Sequence, residues 1–362
     1  MLRQFALALV GLMALSMGCS NVNPYYDPDK LHHTESGFTN NYATDKPGGG
    51  DFLRWQWNRW WNDLPKPPVE PIEGVEPELE FIQNNEDEVA VTWIGHATVL
   101  LQVGGLNILT DPQFSERASP VSFAGPPRHQ PPGVALEELP HIDAVVISHA
   151  HYDHLDLASV TALYQQDGGP PRFFLPLGMD QWFRENVTDG DDTHLTPMDW
   201  WQTREFRGAT IRFLPVQHWS SRTPWDENEM LWGAWAVEHP DFDFLFGGDF
   251  AYSKDLKDIG ERTNGYDLAA LPIGAYEPRW FMKSNHVNPE ESVQAMQDIG
   301  ARRAIAIHWG TFEGLTDEPL DEPPKKLVEA RERAGIPEAA FRILNHGETV
   351  RPGKNERVSR RP

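Results

Sequence analysis

The sequence predicts an α/β fold in which two β-sheets are faced by helices. Three observations predict it. Apolar, β-branched runs come first, between residues 88 and 110, and strands then alternate with helical patterns. The run Ile142–Ser148 is apolar apart from Asp143 and its terminal serine, as expected of a strand buried on both faces. Histidines and aspartates concentrate directly after strand runs, where open α/β folds build their sites.

The chain opens on a processing signal over residues 1–18. Arg3 is its only charge, Phe5 to Leu15 is an apolar run too short to span a bilayer, and small residues precede Cys19. Leu-Ser-Met-Gly-Cys at 15–19 resembles a bacterial lipobox, although Leu15 stands one residue early and Ser16 occupies the usual leucine position. The expectation is an exported protein lipidated on Cys19, with Ser20 favouring the outer membrane on its periplasmic side. Cys19 is the sole cysteine, so neither an internal disulfide nor a thiolate ligand from another cysteine is available.

Residues 19–87 read as a tether and a Trp-rich extension. Residues 20–50 are polar and end in Pro47-Gly48-Gly49-Gly50, which suits a flexible link. Leu53, Trp57, Trp60 and Trp61 then form an apolar stripe on one helical face. It is expected to pack on its own domain, with a place in a membrane interface as the rival reading. Leu64 to Pro77 is a proline-rich extended linker.

A catalytic domain is expected over 88–352, with 353–362 as a tail. Its strands are Glu88–Ile94, Thr98–Val103 and Leu106–Thr110, with Gly104-Gly105 as the hairpin turn, then Ile142–Ser148 and Arg172–Leu175. Later strands are Thr210–Val216, Leu231–Val237, Phe242–Phe246, Asp267–Leu271, Arg303–Ile307 and Phe341–Leu344. Helices cover Asp156–Gln165 and Lys325–Ala334, and another starts at Pro289, where Glu290 and Glu291 suit the positive end.

Charge narrows the function. With 31 basic and 54 acidic residues in 362, the formal charge is −23, a field that repels polyanions, so nucleic acid is not an expected partner.

Ile142–Ser148 runs directly into His149-Ala-His151-Tyr-Asp153-His154. In extended chain, residues two apart point the same way, so His149 and His151 can grip one ion. The following turn lets Asp153 and His154 face a neighbouring point. Four ligand-type side chains in six residues is too dense for packing histidines. His218, Asp249 and His308 also follow strands and complete two sites. Imidazole and carboxylate without thiolate favour zinc, with iron or manganese open.

These residues resemble the signature of the metallo-β-lactamase superfamily. Thr92–Thr98, Leu109–Pro112, Leu271–Lys283 and Ile307–Phe312 carry the resemblance further, to the N-acyl-phosphatidylethanolamine-hydrolysing phospholipase D family, across roughly residues 88–350. The resemblance implies a four-layer αβ/βα metallo-β-lactamase sandwich and two zinc ions per chain. His149, His151 and His218 would hold one ion, Asp153, His154 and His308 the other, and Asp249 would bridge them. It also implies a phospholipid substrate, cleaved to phosphatidic acid and an N-acylethanolamine. Asp153 and Asp249 are expected to act in catalysis, and His286 is the candidate proton donor. His96 and His346 are expected to support or pack, and His32, His33, His129, His141, His194 and His239 receive no role.

Two stretches depart from that family's pattern. Phe250-Ala251 replace Thr and Gly beside Asp249, which alters support for the bridging carboxylate. Ser284-Asn285 replace an aromatic and a glutamine, a change expected to bear on the headgroup and not on the metals. The rival enzyme reading is hydrolysis of another ester, lactone or phosphodiester on the same scaffold. The rival of another class is a noncatalytic metal-binding lipoprotein. The membrane is the expected partner through Cys19, and a homodimer is left open.

Overall fold

A computed structural model of the chain describes residues 22–62, 64–68, 72 and 74–352. The expected processing signal, Cys19 and the expected tail 353–362 lie outside the described residues.

A short hairpin, β1 (His33–Thr34) and β2 (Gly37–Phe38), precedes helices α1 (Gly49–Trp61) and α2 (Leu79–Asn84). The first sheet begins as an antiparallel meander of β3 (Ala90–Gly95), β4 (Thr98–Val103) and β5 (Leu106–Thr110). It continues in parallel through β6 (Ala144–Val146), β7 (Arg172–Pro176) and β8 (Leu195–Met198), with α3 (Leu157–Tyr164) and α4 (Met179–Asn186) as crossovers.

The second sheet repeats that plan. β9 (Thr203–Phe206), β10 (Ala209–Leu214), β11 (Ala234–His239) and β12 (Phe242–Phe246) are antiparallel. β13 (Leu268–Pro272), β14 (Ala304–Ile307) and β15 (Phe341–Arg342) then add in parallel. Between them run α5 (Lys254–Arg262), α6 (Arg279–Met282), α7 (Pro289–Asp298) and α8 (Glu322–Ala334). β16 (Thr349–Val350) returns to pair with β3 in the first sheet.

Side-chain alternation builds the layers. Val91 and Trp93 of β3, Val99 and Leu101 of β4, and Ala144 and Val146 of β6 share one core with Phe213, Trp235 and Phe244 of the second sheet. The alternate residues Ile94, Leu100, Leu109 and Val145 join Ile82 of α2, Val160 of α3 and Phe183 of α4 in a second core. Leu256 of α5, Val293 of α7 and Leu327 of α8 pack on the second sheet. The result is the expected four-layer αβ/βα sandwich of two mixed sheets flanked by helices.

Residues 22–48, expected to form a flexible tether, instead lie along the domain as a strap. Polar composition misled here because the strap's polar groups find buried partners. Asp199 receives His32 Nε2 at 2.8 Å, His33 Nε2 at 3.1 Å and Lys30 Nζ at 2.5 Å. Burial would raise this carboxyl, but the hydrogen bonds from His32 and Lys30 hold it below the usual carboxylate range. Tyr25 bonds Asp180, Asn41 bonds Asp255 and Tyr42 bonds Asp258. Gly37 sits so close to the domain that a Cβ there would lie 2.2 Å from the Asn228 carbonyl oxygen.

The Trp-rich helix forms as expected, but its stripe does not pack on the domain. Trp55, on the opposite face, makes the contact. It is buried, stacks on Phe281 at 4.8 Å and donates from its indole N–H to Asp317 at 3.0 Å. Leu53, Trp57, Trp60 and Trp61 are 69%, 62%, 73% and 72% exposed. No helix among the described residues is long and apolar enough to cross a membrane.

Candidate metal centre

The strand ends gather the predicted residues at one edge of the sandwich. β6 ends at Val146 and the chain passes through Ser148 into His149, His151, Asp153 and His154. His218 follows β10, Asp249 follows β12 and His308 directly follows β14. His149, His154, His218, Asp249 and His308 are all buried, with no more than 3% exposure.

Two groups form. His149 Nε2 lies 2.8 Å from His151 Nδ1, and His218 Nε2 lies 3.4 Å from the same atom. In the other group, His308 Nε2 is 3.1 Å from His154 Nε2 and 3.3 Å from Asp153 Oδ2. Asp249 Oδ2 stands 3.2 Å from His154 Nε2 and 3.1 Å from His308 Nε2.

Neighbouring groups decide which nitrogen of each ring faces inward. Ser148 Oγ donates to Asp111, since a carboxylate only accepts, and so accepts from His149 Nδ1–H at 2.9 Å. That leaves the lone pair of His149 Nε2 facing the group. His218 Nδ1–H donates to the Asn285 carbonyl at 2.8 Å, which turns its Nε2 inward in the same way. His154 Nδ1–H donates to Asp111 Oδ2 at 2.6 Å. Asp111 also accepts from the Ser148 N–H at 2.6 Å, so this single carboxylate orients both groups. Asp111 lies in the Leu109–Pro112 stretch, where sequence alone assigns it no role.

Burial drives His149 and His218 well below the ordinary histidine range and His151 down to about 4, with neighbouring imidazoles adding to it. Burial opposes ionisation of Asp153 and Asp249 too, yet the imidazoles of His154 and His308 hold both carboxyls well below the usual range. The ionised carboxylates and the neutral imidazoles of His149, His151 and His218 are in states that bind metal. Against burial, Asp249 and Asp153 hold His154 well above the ordinary histidine range and raise His308 to about 9, so an ion entering there would displace their protons. Asp249 Oδ1 is also buried with no hydrogen-bond partner. An acceptor left without a donor, beside converging lone pairs, fits a cation. The nitrogen and oxygen donor set suits a divalent transition ion.

Backbone strain marks the same edge. His96, Asp111 and His308 hold φ of 51°, 29° and 61°, left-handed conformations uncommon for non-glycine residues. Gly248, before Asp249, has φ 59°, and a Cβ there would meet Ser148 Cβ at 2.5 Å.

His96, expected to support or pack, has Nε2 3.0 Å from Asp153 Oδ2 and belongs to the group of residues that could hold an ion with Asp153, His154 and His308. His346 packs on Trp93 and reaches Thr311 Oγ1, which accepts from the His96 N–H. His286 comes to the site. Its Nδ1 lies 3.7 Å from Asp249 Oδ2 without a hydrogen-bond partner, and burial lowers its pKa to about 4. Ser284 and Asn285, whose departure is expected to concern the headgroup, meet the centre through backbone carbonyls, which a change of side chain leaves in place. The Ser284 carbonyl accepts from Gln217 and the Asn285 carbonyl from His218. Phe250 and Ala251 likewise act through backbone, the Ala251 N–H donating to the Gln217 carbonyl at 2.8 Å.

A cavity of about 480 Å³ opens on the centre. His151, Asp153, Asp249 and His286 form its polar floor, and Phe52, Trp55, Phe281 and Met282 its apolar wall.

The Beta-lactamase superfamily domain matches residues 106–309. The chain is also 42% identical to N-acyl-phosphatidylethanolamine-hydrolyzing phospholipase D 1 of Caenorhabditis elegans, across 73% of this chain and 76% of that one. This chain belongs to the N-acyl-phosphatidylethanolamine-hydrolysing phospholipase D family. The mitochondrial protein of that name in Saccharomyces cerevisiae is 35% identical, across 73% of this chain and 56% of its own length. Among solved structures, a metallo hydrolase of the archaeon Ignicoccus hospitalis aligns with 73% of this chain and 98% of its own, with TM-score 0.53 and 20% identity, a likeness of fold. Like others of its superfamily, this phospholipase D family member is a metal-dependent hydrolase of metallo-β-lactamase fold.

Proposed function

We propose that the chain is a dinuclear zinc phosphodiesterase that cleaves N-acyl-phosphatidylethanolamine on the headgroup side of phosphorus, releasing phosphatidic acid and an N-acylethanolamine. The observation that carries this reading is two adjacent groups of ligand-type side chains, with the Asp249 carboxylate against His154 and His308, lining an apolar-walled cavity. The family relatives named as hydrolysing this lipid add support.

His149, His151 and His218 would hold one ion and Asp153, His154 and His308 the other, with Asp249 between them. Two such ions supply nucleophilic water at neutral pH and a positive field for phosphoryl oxygens. Asp111, through Ser148 and His154, keeps the ligand rings turned inward before substrate arrives. Phe52, Trp55, Phe281 and Met282 bind acyl chain and exclude water from the reacting phosphodiester. Lys46 brings an ammonium to the same cavity. His286 has an unpartnered nitrogen beside Asp249 and is placed to pass a proton to the departing alkoxide oxygen. The same reading holds the enzyme at the bacterial outer membrane, facing the periplasm, through lipidated Cys19.

Mass spectrometry of products from vesicles containing N-acyl-phosphatidylethanolamine tests it. Phosphatidic acid and N-acylethanolamine in equal amounts are expected, abolished by a chelator and restored by zinc. A free fatty acid in their place would refute the phosphodiesterase reading.

A further inference from the structure

α1 is a helix with one face turned to the domain and another left in solvent. Phe52 and Trp55 line the cavity, and Phe52 is also 48% exposed, which puts it at the mouth. On the outer side, Leu53, Trp57, Trp60 and Trp61 follow the i, i+4, i+7, i+8 spacing of a single stripe and lie mostly in solvent. The three indoles touch one another, Trp57 to Trp60 at 5.3 Å and Trp57 to Trp61 at 6.4 Å between ring centres. A contiguous aromatic patch of this kind on a soluble surface marks an interaction site.

Charge identifies what it meets. The chain as a whole carries −23, yet α1, α6 and Lys283 together hold Arg54, Arg59, Arg279 and Lys283 against the single acid Asp51. Arg59 is paired with Asp317 and Arg279 with Glu291. Arg54 lies over Trp280 at 4.6 Å, and neither it nor Lys283 forms an ion pair among the described residues. Exposed indoles beside unpaired cations match the headgroup layer of a phospholipid bilayer. There, the apolar ring body sits among acyl chains, the N–H stays wet and phosphate meets the cations.

We infer that the outer face of α1 docks flat on a phospholipid bilayer, with Arg54 and Lys283 on its phosphates, so that the cavity mouth at Phe52 opens against the lipid. At 13 residues the helix is about 20 Å long, which suits lying in the interface and not crossing it. The purpose of the docking, delivery of a lipid to the cavity, rests on the proposed substrate; the docking itself does not.

Because Cys19 is the only cysteine, a single spin label can be placed on the face. In the full chain carrying Cys19→Ser and Leu53→Cys, the label's collision rate with a water-soluble nickel chelate is measured with and without vesicles of phosphatidylethanolamine and phosphatidylglycerol. At least a threefold fall on adding vesicles is expected, lost when Trp57, Trp60 and Trp61 are all changed to serine. A label equally open in both conditions would overturn the inference. So would a label already shielded without vesicles in step with dimer formation in sedimentation velocity, which would make a second copy the occupant. With N-acyl-phosphatidylethanolamine added to the same vesicles and the protein zinc-loaded, shielding without cleavage would keep the docking and remove the substrate proposal.

Discussion

The side chain of Asn40 clasps the main chain of His218: Nδ2 donates to the His218 carbonyl and Oδ1 accepts from the His218 N–H, each at 3.0 Å. The N-terminal strap therefore reaches a candidate metal ligand that follows β10. Asn40→Ala is expected to leave the fold intact and to cost about 1–3 kcal/mol through the lost pair of bonds. It should weaken retention of one ion about tenfold. Competition with a chromophoric chelator measures this, and unchanged retention would reduce the clasp to packing.

Asp111→Asn tests the shared support. The amide keeps the size but loses the charge that accepts from Ser148 and His154 together. Metal affinity and turnover are expected to fall about 10- to 100-fold. A variant that keeps both would show that the rings hold their orientation without it.

Asp249→Asn is expected to abolish nearly all activity, because this carboxylate faces both His154 and His308. Elemental analysis should find two zinc ions in the dialysed parent and fewer in the variant. One ion or none in the parent would contradict the dinuclear arrangement.

His346 gives a pH test away from the ligands. Burial, with Arg128 adding, pushes its pKa down to about 3. The unfolded chain binds a proton there near pH 6.5 and the folded chain does not, so stability is full above pH 6.5 and falls as pH drops toward 3. Through that window one such group contributes a slope of about 1.4 kcal/mol per pH unit. In denaturant titrations across it, His346→Gln should be flatter than the parent by that one-proton slope. Identical slopes would mean the ring is protonated in the folded chain.

Much of the fold and the site is legible because the signals are dense. The run at His149–His154, the strand-end positions of His218, Asp249 and His308, and the apolar periods of β3–β5 all point the same way. What escaped depends on distant partners or on weak local signals. β8 contains Pro197, β9 is a short edge strand with two exposed residues, and β16 has two residues, so none carries a strand period. The strap looks like a linker because the acceptors that order it, Asp199 and Asp180, lie far along the chain. Asp111 carries no local signal of its role until β5 and β6 lie side by side, which sets its carboxylate on Ser148. The tryptophan stripe was visible, but periodicity alone cannot say which face of a helix meets the protein. Trp55, outside the stripe, does.

The most direct test of the central claim is the fate of solvent oxygen. With N-acyl-phosphatidylethanolamine in ¹⁸O-water, attack at phosphorus predicts one ¹⁸O in phosphatidic acid and none in the N-acylethanolamine. Label in the ethanolamide would mean carbon–oxygen cleavage and would contradict the phosphodiesterase mechanism.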